Sequence, residues 1–176
     1  GKDDLRFLKE AWKANSLRLM LMYGDLREKE EPYAIQESQL EKIDRFLDAC
    51  EEVGLQCILD VHETPGRVEW AGEKDRRLWE DNRFHDLLDE TWAVLARRYA
   101  KRGGVIAGYD LFNEPNMEKS IAGTPSDWNA LAKRLTPPIF VAPALLLLAL
   151  NPWHIWASRV ADGWIVPALL VTLTVW

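Results

Sequence analysis

The chain has 176 residues and a formal net charge of −6, with 48% of its residues hydrophobic and 28% charged. That length supports one domain with a real core, and the composition is ordinary for a globular protein. The acidic balance and the absence of any basic run argue against nucleic acid as a partner.

The opening "GKDDLRFLKEAWKAN" is an amphipathic helix pattern, with Leu5, Leu8, Ala11 and Trp12 at helical spacing. No start methionine or signal peptide precedes it, so the chain reads as beginning inside a domain. "SLRLMLM" then alternates as a strand: Leu17, Leu19 and Leu21 on one face, Arg18, Met20 and Met22 on the other. In "ESQLEKIDRFLDACEEVG", Leu40, Ile43, Phe46, Leu47 and Cys50 share a helical face, and Gly54 ends the helix. The strand "LQCILDVHE" places Cys57, Leu59 and Val61 under helices, with Ile58, Asp60 and His62 opposite. A loop from Thr64 to about Trp79 leads into the helix "DNRFHDLLDETWAVLARRYAKRG". The strand "VIAGYDLFNEP" follows, and "PSDWNALAKRL" closes the pattern as a helix with Ser126 as its expected N-cap.

Strict alternation of helix and strand predicts a parallel sheet with crossover helices, either a (β/α) barrel or a doubly wound sheet. Neither GxGxxG nor GxxxxGK[ST] follows a strand, and the polar residues gather at C-terminal strand ends, where barrel enzymes build their sites. An inward arginine, an aspartate–histidine pair and a terminal glutamate are costly to bury unless they meet. The expectation is a shared site built from Arg18, Asp60, His62 and Glu114; the alternative is a structural ion-pair network. Cys50 and Cys57 read as buried free thiols, and no CxxC or His/Cys cluster suggests a metal or cofactor.

The segments "SLRLML", "LQCILDVHETPG" and "WAVLARRYAKRGGVIAGYDLFNEPN", in this order, resemble glycoside hydrolase family 5, the cellulase and endo-β-mannanase group. The resemblance covers roughly residues 3 to 136 and implies the N-terminal part of a (β/α)8 (TIM) barrel, about strands 2–4 with their helices. It implies hydrolysis of β-linked oligo- or polysaccharides with retention, no cofactor, and a secreted or periplasmic location. Carried over by position, Glu114 matches the general acid/base and Asn113 the residue that contacts the sugar 2-hydroxyl. His62 matches the histidine after the third strand, and Arg18 the arginine that orients the nucleophile. An acid of this kind needs a pKa above the usual value of about 4.3. Asn113 and Glu114 can serve one site only if the strand end turns there. Trp70 and Trp79 are candidates for stacking on sugar rings, with loop packing the alternative. Glu63 is a weaker cleft candidate that alternation turns outward at first, His85 is expected as a surface or partly buried helix residue, and His154 has no interpretable context.

A retaining mechanism also requires a second carboxylate about 5–5.5 Å from the first. No glutamate follows Glu118, and the only later acids are Asp127 and Asp162. No nucleophile is therefore found. From about residue 137 the sequence turns apolar, with Arg159 and Asp162 its only charges. Residues 137–176 read as the start of a fifth strand, as membrane-seeking segments too short to span a bilayer, or, best matching the loss of charge, as sequence foreign to the family. The rival functions are accordingly an inactive fragment or non-catalytic carbohydrate-binding module, and a membrane-associated protein.

Overall fold

The computed structural model describes residues 1–68, 75–115 and 121–139. Strands β1 (Ser16–Leu21), β2 (Gln56–Val61) and β3 (Ile106–Asp110) form a parallel sheet in the order β1-β2-β3. Helices α1 (Lys2–Glu10), α2 (Glu37–Val53), α3 (Asn82–Tyr99) and α4 (Trp128–Ile139) alternate with them. This is an incomplete α/β barrel with an open sheet among the described residues.

Three of the helices show a local reason to start or stop. At the end of α2, Gly54 adopts φ 72° and donates to the carbonyls of Cys50 and Glu51, a left-handed cap open to glycine. Asp81 caps α3 by accepting from the Arg83 amide at 2.9 Å. The chain leaves α3 at Tyr99, earlier than its hydrophobic pattern suggests, and turns through Gly103 and Gly104 into β3. At α4 the cap is Asp127 rather than Ser126: its carboxylate accepts from the Ala130 amide at 3.1 Å. Ser126 instead shares a 2.9 Å hydroxyl contact with Thr124. Helix α4 continues to Ile139, so residues 137–139 are helical and do not begin a strand. The remainder of the apolar tail, with His154, lies outside the described residues. No helix among the described residues is long and apolar enough to cross a membrane.

The core lies between the sheet and α2 and α3. Cys57, Leu59 and Val61 are wholly buried on one face of β2, against Leu47, Cys50, Leu88, Trp92 and Leu95. Trp92 meets Tyr109 of β3 edge-on at 5.7 Å, and its indole N–H donates to the Leu111 carbonyl at 2.9 Å. Both cysteines are buried and free, and burial pushes the Cys57 thiol up to about 12. His85 is not at the surface: it is buried, with Nε2 2.8 Å from the Leu78 carbonyl, because α3 turns it beneath the connection that follows β2.

The register contains one irregularity that matters for the site. Cys57 pairs with Ile106, but Ile58 pairs with Gly108, so β3 advances two residues while β2 advances one. This bulge brings Asp110 directly opposite Asp60, and Tyr109 opposite the buried Leu59.

Candidate active site

The face of the sheet opposite the core carries the polar residues. Met20 of β1, Asp60 of β2 and Asp110 of β3 lie in one row across the three strands. Two neighbouring carboxylates repel unless a cation lies between them. Arg18, two residues before Met20 on the same face, supplies it. Its Nη2 donates to Asp110 Oδ2 at 2.8 Å and lies 3.1 Å from Asp60 Oδ2, while its Nε donates to Asp110 at 3.0 Å. The same Nη2 donates to Asn113 Oδ1 at 3.0 Å, which ties the loop after β3 to the cluster. His62 closes the group, with Nδ1 2.6 Å from Asp60 Oδ2. When Asp60 is ionised it can only accept, so Nδ1 then carries the imidazole proton.

Asp60 is fully buried, and its Oδ1 has no hydrogen-bond partner among the described residues. Burial raises its pKa above the ordinary carboxylate value; the hydrogen bond from His62 opposes the rise, Asp110 adds to it, and Arg18 counters it. The cluster thus concentrates charge at the C-terminal ends of three parallel strands, with the cost of burial offset by one guanidinium.

Strand β3 ends at Asp110, short of the extended run to Pro115 that its pattern suggests. The Asn113 amide still donates to the Val61 carbonyl at 3.3 Å, while Glu114 adopts φ 41° and is exposed. This left-handed turn breaks the alternation that would have sent Asn113 and Glu114 to opposite faces.

Arg18, His62 and Asn113 are therefore brought together, with Glu114 next to Asn113 in the chain. Trp79 departs from the stacking expectation: it is only 8% exposed and packs edge-on against Phe112 at 6.2 Å. The loop folds inward there because its apolar side chains find Phe112 and α3 to cover them. Trp70 lies outside the described residues. Glu63 is buried, not turned outward, since β2 ends at Val61 and alternation no longer applies. Sequence reading missed Asp110 and Arg67. Asp110 stands four residues before Glu114, but only the bulge reveals which face it takes. Arg67 is buried in the loop after β2, and its Nη2 donates to the Glu114 carbonyl at 3.2 Å. Among the described residues no cluster of His, Cys, Asp and Glu has the arrangement of a metal site.

A family model described as cellulase (glycosyl hydrolase family 5) matches residues 2–140. The chain belongs to glycosyl hydrolase family 5. It is 31% identical over 106 residues to a β-xylosidase of Phanerodontia chrysosporium, covering 57% of this chain and 22% of that protein. It is 26% identical over 162 residues to a probable glucan 1,3-β-glucosidase A of Aspergillus fumigatus, covering 87% of this chain and 38% of that protein. A crystal structure of a glycoside hydrolase superposes with a TM-score of 0.69 at 25% identity, over 81% of this chain and 44% of that one. The chain thus spans less than half the length of these relatives.

Proposed function

We propose that this chain carries the acid/base half of a retaining β-glycosidase site and that its 176 residues bind β-linked oligosaccharide without cleaving it. The observation that carries this reading is the Arg18 guanidinium joining Asp60, Asp110 and Asn113 at the C-terminal strand ends, with exposed Glu114 directly after Asn113. In this reading Glu114 protonates the departing glycosidic oxygen, and Asn113, its amide oxygen held by Arg18, presents its NH2 group to a sugar hydroxyl. His62 offers a second polar contact from the next strand. Substrate is a β-linked glucan, mannan or xylan, a class supported by the names of the relatives and by the family.

Hydrolysis with retention needs a second carboxylate to attack the anomeric carbon. Asp60 and Asp110 are both engaged by Arg18, and no glutamate follows Glu118. Binding without turnover is therefore the expected behaviour of this chain. The test titrates the chain with cello-, manno-, xylo- and laminari-oligosaccharides while released reducing sugar is measured in parallel. Saturable binding without sugar release is expected; sustained hydrolysis that survives further purification overturns the incomplete-site reading. For the acid/base role, the equivalent of Glu114→Gln in an active full-length relative should abolish turnover of substrates with poor leaving groups.

A further inference from the structure

The turn just after β2, residues 64–68, is held more firmly than a surface connection requires. Its turn is closed by the Arg67 amide donating to the Thr64 carbonyl at 2.9 Å, with Thr64 and Arg67 forming an antiparallel bridge. Gly66, at φ 84°, presses onto α3 so closely that a Cβ there would fall 2.5 Å from Cγ of Phe84. Its carbonyl accepts from the Leu78 amide at 2.8 Å, and Val68 and Asp75 exchange two backbone hydrogen bonds. Only glycine fits that approach, so the turn is locked against the helix.

From this fixed turn the buried Arg67 side chain reaches across to the segment after β3, and its Nη2 meets the Glu114 carbonyl at 3.2 Å. Glu114 is a non-glycine residue at φ 41°, a conformation that persists only where its surroundings impose it. The residue before it is fixed from the sheet: Asn113 gives its amide to Val61 and receives Arg18 on its side chain. Pro115 follows, with no N–H to offer a turn of its own. Glu114 is thus gripped on one side by the sheet and on the other by Arg67.

We propose that Arg67 is a positioning residue that holds Glu114 in its left-handed backbone conformation, a role that rests on Glu114 being the acid/base. The guanidinium acts on the peptide carbonyl, while the residue itself stays exposed. Glycan chemistry at Glu114 then depends on a loop that belongs to a different strand–helix unit, 47 residues earlier.

The test uses the 176-residue chain, isotope-labelled, and reads φ at Glu114 from three-bond NMR couplings. The unsubstituted chain is expected to show a positive φ. In Arg67→Lys, which keeps the charge but loses the planar fork, Glu114 should move toward negative φ. Its amide should exchange about tenfold faster, while the amides of β1 to β3 keep their protection. A folded Arg67→Lys protein whose Glu114 retains positive φ and unchanged exchange overturns the proposal. Because a buried arginine can be needed for folding, a second measurement needs no substitution: rotation about the Arg67 Cζ–Nη bonds. Slow rotation, compared with exposed Arg97, is expected, and rotation as fast as Arg97 overturns the proposal. These readouts report backbone geometry, so they are independent of the Glu114→Gln activity test; failure of one leaves the other standing.

Discussion

The two faces of the sheet follow different physics although they share the same strands. On the covered face, Cys57, Leu59 and Val61 are sealed under α2 and α3 as part of the hydrophobic core cluster. On the open face, Arg18, Asp60 and Asp110 form a charged cluster beside Met20, which is 53% exposed. The covered face is stabilised by area removed from water, which is insensitive to which hydrophobic residue supplies it. The open face depends on a single guanidinium matched to two carboxylates, where losing one member strands the others. Family 5 chemistry is proposed for the second face, and the first holds it in place.

The largest expected effect falls on the covered face. Trp92→Ala removes a wholly buried ring, its contact with Tyr109 and its bond to Leu111, and should lower unfolding free energy by about 4 kcal/mol. Denaturant titration followed by circular dichroism measures this directly. Leu59→Ala, in the centre of β2, should lose about 3 kcal/mol in the same assay.

Arg18→Met tests whether the open face holds together as a charge cluster. With the cation gone, buried Asp60 and its neighbour Asp110 face each other unscreened, and a loss of about 2 kcal/mol at neutral pH is expected. Much of that loss should be regained on acidification, since protonating the carboxylates removes the repulsion. A loss that is the same at pH 4 and pH 7 would assign the effect to packing instead.

The pH dependence of Asp60 has a definite sign. Burial raises its folded-state pKa above the unfolded value of 3.8, so between the two the folded chain holds a proton that the unfolded chain releases. Its contribution is therefore fully present below the unfolded value and is lost as pH rises through the folded one. The stability difference between the unsubstituted chain and Asp60→Asn should fall across that window. Asp44, held low mainly by its hydrogen bond from Arg98, contributes the opposite slope but is common to both proteins and cancels. A difference that rises with pH would refute the assignment. At the small end, Met20→Ala should change stability by less than about 0.5 kcal/mol. A larger loss would mean that the open face is covered in solution, and a change in sedimentation with protein concentration would identify that cover as a second copy.

Particular residues show how far the sequence could be read. The two-residue period of "CILDVH" placed Asp60 and His62 on one face and Cys57, Leu59 and Val61 on the other; the apolar set is buried in the core, while Asp60 is buried on the opposite face within the charged cluster. Glycine at the end of α2 marked its stop. Asn113 and Glu114 were legible as a pair that needs a turn, and φ 41° at Glu114 is that turn. Asp110 was not legible, because its face depends on the extra residue in β3 opposite Cys57 and Ile58. Trp79 takes the loop-packing alternative and His85 lies deeper than expected for the same reason: each is buried by a loop whose path is set by what it packs against.

The sequence by itself determined the alternation of elements and the polar face of β1 and β2, because helical and strand periods are written in consecutive residues, and its quoted segments carried the resemblance to the family. Only the tertiary structure decided that Asp110 stands beside Asp60 and that Arg67 grips Glu114. Those contacts join segments 47 to 50 positions apart, and a bulge or a docked turn that shifts register by one residue changes them while leaving every local pattern intact.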